Sequence, residues 1–132
     1  LRNGYDVAIS TRTHPQSQIV KKQRFLRALL GKVFLWCVHT LNLSHFSDTQ
    51  CGFKAFHRKS ALHLFSAMTI DGYAFDVEIL LLAQKYGIRV AEVPVTWRDS
   101  DRSTISVFSP RTARMLLDIV LLRWRYRRSQ EH

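Results

Sequence analysis

Apolar positions along the chain fall into two spacings, and each predicts its own kind of element. Val7, Ala8 and Ile9 stand in an unbroken β-type run from Asp6 to Ser10, and a polar stretch through Arg12, His14, Pro15 and Ser17 follows, so a strand leads into a loop. From about Ile19 to Leu41 the spacing changes: Leu26, Leu29, Leu30, Val33, Phe34, Cys37, Val38 and Leu41 recur at three and four. That period predicts a long amphipathic helix, with Lys21, Lys22, Arg24, Arg27 and Lys32 toward its start. Two readings of this helix stand side by side: a core helix with a solvated basic face, and an interfacial helix at the boundary of headgroups and acyl chains, where Trp36 and the neighbouring Phe and Leu residues suit the basic flank.

Past Asn42 and Ser44, the segment DTQCGFKAF (48–56) reads as a loop entering a short strand, because Gly52 precedes an alternating Phe53, Ala55 pattern. Arg58 to Met68 reads as a short helix with Ala61, Leu62, Leu64 and Phe65 inward, and Ile70-Asp71-Gly72 as a turn. Phe75 to Tyr86 is apolar nearly all round, which predicts a helix packed in the interior and closed by Gly87. Val90 to Trp97 reads as a strand whose Pro94 favours an edge or irregular position. About Ser109 to Arg128 is helical by Met115, Leu116, Ile119, Val120, Leu121 and Leu122, with Pro110 in its first turn. Strands alternating with helices predict an α/β fold, but these strands are too few for a complete doubly wound sheet. The expectation is one domain over residues 1–132 that forms only part of a fold, with its N-terminal portion missing.

Charge adds a partner class. The 132 residues carry a formal net charge of +10, which points to nucleic acid, an acidic membrane face or a phosphate-bearing substrate. The excess sits at the two ends, while Lys and Arg balance Asp and Glu between Trp36 and Trp97. Folded together, the two ends would make one basic patch. Two cysteines, Cys37 and Cys51, do not form a disulfide scaffold, and a reducing cytoplasmic setting is the expectation. Six histidines without i, i+4 pairing, and no C-x-x-C, leave no support for a bound structural metal. No run of ~20 uncharged apolar residues reads as a membrane span.

Two clusters carry candidate chemistry. In FDVEILLLA (75–83), Glu78 has Ala74, Phe75, Leu81 and Leu82 at helical neighbour positions, so its carboxylate must meet a buried cation or backbone donors, or shift its pKa. Asp76 either lies roughly opposite Glu78 or caps the first turn; one of the two carboxylates would orient a catalytic loop or a substrate cation. Asp48, Gln50 and Lys54 surround Gly52, which lets backbone approach a ligand. Asp48 is a candidate general base or organiser of one, and Lys54 a candidate phosphate contact, against the plainer reading of an ordinary Asp-Thr turn.

The ordered set DTQCGFKAF, DGYAFDVEILLLA and AEVPVTWRD resembles the C-terminal half of family 2 glycosyltransferases of the polyprenyl-phosphate sugar transferase kind, among them the dolichyl-phosphate β-glucosyltransferases. Each piece alone is weak, and the set is specific. Ser10-Thr11-Arg12 is similar to the family's Gly-Ser-Arg strand end, and Met115 to Tyr126 to its closing Met-x-x-Asp…Arg-x-x-Tyr helix, so the resemblance spans nearly the whole chain.

The resemblance implies a partial Rossmann-like GT-A fold whose nucleotide-binding half lies upstream. It implies inverting transfer of a sugar, typically glucose from UDP-glucose, to a polyprenyl or dolichyl phosphate at the cytoplasmic face of a membrane. Mg²⁺ or Mn²⁺ would be held by the family's Asp-x-Asp motif upstream of the strand at Asp6 to Ser10, with ligands outside this chain. Carried over residue by residue, it puts Arg12, Asp48 and Gln50 near the reacting centre, and Lys21, Arg24 and Arg27 where lipid phosphate arrives. Lys54, Asp76, Glu78, Trp97, Arg102 and Ser103 are the remaining candidate substrate contacts. One departure stands out: where the family has Gly-Ser-Lys after the tryptophan, this chain has Arg102-Ser103-Thr104. Arg102 is the available replacement for the missing Lys. Partners are then a nucleotide sugar, a polyprenyl-phosphate lipid, an anionic membrane surface and the missing half of the domain, with no nucleic acid. The competing class is a small basic nucleic-acid-binding module, suggested by the charge and by the Trp, Tyr and Arg of the tail.

Overall fold

A computed structural model describes residues 3–19, 25–98 and 108–130, and the side chains of 19, 26–27 and 128–130 are outside the description. The elements in chain order are β1 (Val7–Thr11), β2 (Gln18–Ile19), α1 (Phe25–His39), β3 (Lys54–Phe56), α2 (Arg58–Ala67), α3 (Phe75–Lys85), β4 (Val90–Pro94), β5 (Thr96–Trp97) and α4 (Pro110–Gln130). The fold is α/β, as the alternation of periods predicts.

β1 is the central strand of a mixed sheet ordered β3-β1-β4. It runs antiparallel to β3, with Ala8 opposite Ala55, and parallel to β4, with Ile9 opposite Glu92. Val7 and Ile9 are fully buried on one face, and Ser10 and Thr11 carry the strand's end into the interior as well. The expected strand from Val90 to Trp97 divides in two. Pro94 has no N–H to continue the ladder. Val95 then donates its N–H to Ser17 Oγ and accepts from Gln18 N at 3.1 Å each, so the chain turns to pair β5 with β2 in a separate parallel ribbon.

α3 is the interior helix that its composition predicts: every residue from Asp76 to Ala83 is buried. It ends in a Schellman arrangement, Ile88 N donating to Ala83 O and Gly87 N to Gln84 O, with Gly87 at φ +65°. Only glycine takes that φ without a Cβ penalty. α4 starts as Pro110 and Ser109 require. Proline fills the first helical position, where no N–H is needed, and Ser109 Oγ accepts from Thr112 N at 3.3 Å. Its Met115, Ile119 and Leu122 meet Phe34 and Val38 of α1, Leu64 of α2 and the α3 residues in one core. Burying each such side chain stabilises by about 1.5–3 kcal/mol.

The two amphipathic helices are less buried than their spacing suggests. In α1, Phe34 and Val38 are buried, but Leu29, Val33 and Trp36 are exposed. In α2 only Leu64 is buried; Leu62 and Phe65, expected inward, face outward. Phe65 instead meets Phe56 edge to face, with ring centroids 5.4 Å apart.

Candidate functional site

The C-terminal end of β1 delivers Arg12 beside the loop that precedes β3. There the Asp48 carboxylate receives four donors. Arg12 gives its backbone N–H at 3.0 Å, its Nε at 2.6 Å and its Nη2 at 2.9 Å, and Gln50 gives its backbone N–H at 3.3 Å. A carboxylate offers about four lone-pair positions, so Asp48 is saturated. Burial alone would raise its pKa, but the hydrogen bonds and charge of Arg12 outweigh burial and hold the carboxyl below its ordinary value. The Arg12 guanidinium also lies 5.2 Å from the Trp97 ring centroid, within cation–π range.

A second ion pair backs the first. Lys54, on the first residue of β3, places Nζ 2.8 Å from Asp76 Oδ1. The same ammonium donates to Cys51 O at 2.7 Å and Thr49 O at 3.2 Å. Its three protons are thereby used. Lys54 is therefore a strut inside the 48–51 loop, its ammonium turned to protein acceptors. Burial pushes the Asp76 carboxyl above its ordinary value; Lys54 works against that and the nearby Asp48 charge adds to it. Ser10 Oγ fixes the other side of the loop, 2.8 Å from Cys51 Sγ and 2.9 Å from Phe53 O. Both cysteines are free.

Gln50 points its amide toward Tyr73 O, 3.4 Å away, and Met115 Sδ, 3.5 Å away, so it bridges from the loop to the segment before α3 and to α4. Arg12, Asp48, Gln50, Lys54, Asp76 and Trp97 are thus brought together. Glu78 is not. Two residues along a helix is about 200°, so it leaves α3 on the face opposite Asp76. Its carboxylate accepts from Thr69 N at 2.9 Å, Thr69 Oγ1 at 2.7 Å and Ile70 N at 2.8 Å. Two of the three are the backbone donors that its burial demands, and together they make it an anchor for the 69–70 turn, away from the Arg12–Asp48 cluster. Arg27 falls in α1, but its side chain, together with Lys21, Arg24, Arg102 and Ser103, lies outside the described residues.

One feature escaped the sequence reading. Thr49 Oγ1 and Trp97 Nε1 are buried without a hydrogen-bond partner. Nothing in a DTQ tripeptide tells which way its threonine turns. Among the described residues no group of three or more His, Cys, Asp or Glu is placed to hold a metal ion.

A small mixed sheet flanked by helices, with paired charges gathered at the end of its central strand, is compatible with part of a glycosyltransferase fold. The proteins that this chain resembles are dolichyl-phosphate beta-glucosyltransferases. That of Dictyostelium discoideum is 43% identical over 95% of this chain and 38% of its own length. That of Homo sapiens is 34% identical over 94% of this chain and 38% of its own, and that of Saccharomyces cerevisiae 35% identical over 91% and 36%. The chain therefore spans somewhat over a third of the length of these relatives. No family model matches it, and no solved structure does. The resemblance gives the nucleic-acid alternative no support.

Proposed function

We propose that this chain is the acceptor-side part of a glycosyltransferase that moves glucose from a nucleotide sugar, UDP-glucose, to dolichyl or a related polyprenyl phosphate at the cytoplasmic face of a membrane. The observation that carries this reading is the Arg12–Asp48 pair, set in a chain similar along nearly its whole length to dolichyl-phosphate beta-glucosyltransferases. The remaining nucleotide-binding half of the GT-A fold would lie upstream in the parent enzyme.

In an inverting transfer, an acceptor phosphate oxygen bonds to the anomeric carbon as the bond from that carbon to the diphosphate oxygen breaks, the electron pair leaving with the diphosphate. The nucleophile is already anionic and needs placement more than deprotonation. Asp48 suits that need, since its lone pairs are committed to Arg12 and Gln50. Its work is to hold the Arg12 guanidinium at a fixed point against Trp97, where its remaining positive field can act on phosphate oxygens. The Lys54–Asp76 pair fixes the loop that carries Asp48. Both carboxylates of the cluster are held by cations, which supports the reading that ligands for Mg²⁺ or Mn²⁺ come from outside this chain. Bound there, the metal would neutralise the leaving diphosphate.

The membrane part of the reading is supported by α1 and α4. Phe25, Trp36, Val120 and Trp124 are exposed on helices whose only carboxylate, Asp118, is buried. Such apolar and basic faces suit an anionic interface. No helix among the described residues is long and apolar enough to cross a membrane.

The test is transfer by the full-length enzyme from a panel of UDP- and GDP-sugars to polyprenyl phosphates. Glucose transfer from UDP-glucose to dolichyl phosphate is expected, and Asp48→Asn should abolish most of it. Failure of every donor and acceptor pair, or wild-type turnover in Asp48→Asn, would sink the reading.

A further inference from the structure

At the far end of α3 from Asp76, about 13 Å along the helix axis at 1.5 Å per residue, a hollow of about 320 Å³ opens between the ends of α1, α3 and α4. Asn42, Gln84, Lys85, Arg123, Tyr126 and Arg127 are among its walls, and no carboxylate is. Its size falls at the lower end of small-ligand sites.

Three cations gathered there call for a counterpart, and the obvious one is the negative ends of the helices. That counterpart falls short in two ways. The helix-end carbonyls already have partners: Thr40 N, Leu41 N and Asn42 N serve Trp36, Cys37, Val38 and His39, and Tyr86 N, Gly87 N and Ile88 N serve Leu82, Gln84 and Ala83. In magnitude, three helix ends supply about −1.5 charges at roughly −0.5 each, against three full positive charges. Among the described residues an excess of about +1.5 therefore remains. Among the described residues none of Lys85, Arg123 and Arg127 forms an ion pair. Lys85 Nζ rests instead 5.8 Å from the Tyr126 ring centroid and 5.9 Å from that of Tyr86. The carboxylate whose charge is felt at Tyr126 is Glu78, and its oxygens are committed to Thr69 and Ile70.

We propose that this hollow is a second anion site, separate from the Arg12–Asp48 cluster, that takes a phosphate-bearing group of the phosphomonoester or diphosphate class. Two guanidinium forks can each meet a phosphate in bidentate fashion, and the ammonium adds a point charge. Asn42 and Gln84 supply neutral donors at the rim. A free phosphate compound and the headgroup of an anionic phospholipid offer the same chemistry.

The 132-residue chain is titrated with inorganic pyrophosphate by calorimetry, and in a second arm sedimented with phosphatidylcholine vesicles with or without phosphatidic acid. Saturable pyrophosphate binding is expected, weakened at least about tenfold in Arg123→Gln/Arg127→Gln. Arg111→Gln, an exposed cation at the opposite end of α4, should bind as the wild type does. These changes are at exposed positions, and far-UV circular dichroism confirms that each variant is folded. Loss of phosphatidic acid vesicle binding in the same double variant but not in Arg111→Gln assigns the site to a headgroup; pyrophosphate binding with vesicle binding unchanged by the double variant assigns it to a soluble ligand. Wild-type binding by the double variant in both arms, or an equal loss in Arg111→Gln, overturns the proposal. Because the hollow is remote from Asp48, neither result bears on sugar transfer.

Discussion

Lys54 Nζ lies 2.8 Å from Asp76 Oδ1 and spends its other two protons on the carbonyls of Thr49 and Cys51. One buried ammonium therefore ties β3, the 48–51 loop and the first turn of α3 to one another. Removing it leaves a carboxylate and two carbonyls unpaired at once. Lys54→Met, which keeps the side chain's length, should destabilise the fold by about 3 kcal/mol, as breaking one partner of a buried pair does. Urea unfolding followed by circular dichroism measures it. The double change Lys54→Met/Asp76→Leu should lose less than Lys54→Met alone, since no charge is then stranded. A double variant weaker than the single one would show that the pair is not what holds the loop.

Asp48→Asn replaces one acceptor oxygen by an amide that faces Arg12 donors. The expected cost is about 2 kcal/mol of stability, the size of hydrogen bonds to a charged group. In the full-length enzyme the expected fall in turnover is on the order of a hundredfold, typical of losing one preorganised electrostatic contact. Arg12→Lys should lower turnover as well, because an ammonium cannot reproduce the two-pronged hold on Asp48. Steady-state rates alongside thermal midpoints separate the two effects. If turnover fell only in proportion to the unfolded fraction, Asp48 would be a structural residue.

Much of this arrangement was legible in the sequence, for reasons that differ by element. α3 could be placed in the interior because an apolar surface all round leaves a helix no solvent face, and the same fact forced donors onto Glu78. What could not be read was which donors. A helix wheel sets Asp76 and Glu78 on opposite faces but does not say that Lys54 waits on one side and the 69–70 turn on the other. Lys54 is a candidate phosphate contact from its charge and its place near Gly52; that it meets Asp76 and two carbonyls depends on how the loop curls, which no spacing records. The exposure of Leu62 and Leu29 is similar in kind. Periodicity marks which residues share a face, and the neighbouring elements decide whether that face is covered.

Glu78 offers a test that separates anchoring from substrate contact. Thr69 N and Ile70 N both point at Glu78 Oε2, and the Thr69 hydroxyl at Oε1. Glu78→Gln can keep its carbonyl oxygen on the two backbone donors and turn its amide NH2 to Thr69 Oγ1, so the expected loss is the difference between a charged and a neutral acceptor, about 1 kcal/mol. The Arg12–Asp48 cluster should be undisturbed. Turnover per folded molecule of the full-length enzyme is then expected to stay within about twofold of wild type while the thermal midpoint drops. A large fall in turnover with an unchanged midpoint would return Glu78 to the substrate contacts.

The two site carboxylates should pull stability in opposite directions as pH changes. Asp48 is held below its ordinary value of 3.8, so its contribution is present above that value and disappears as pH falls through the lower folded one. Asp76 is held above 3.8. For a raised carboxyl the unfolded chain gives up its proton first, so the contribution is complete below 3.8 and is lost as pH rises through the folded value. Urea midpoints between about pH 2 and about pH 6 test this by difference. Wild type minus Asp48→Asn should grow with pH across the acid end and then level off. Wild type minus Asp76→Asn should shrink as pH rises above 3.8, because asparagine keeps an acceptor for Lys54 without the burial cost of a charge. An Asp76 difference that grew with pH would mean that the attraction of Lys54 outweighs burial, and that Asp76 is ionised throughout.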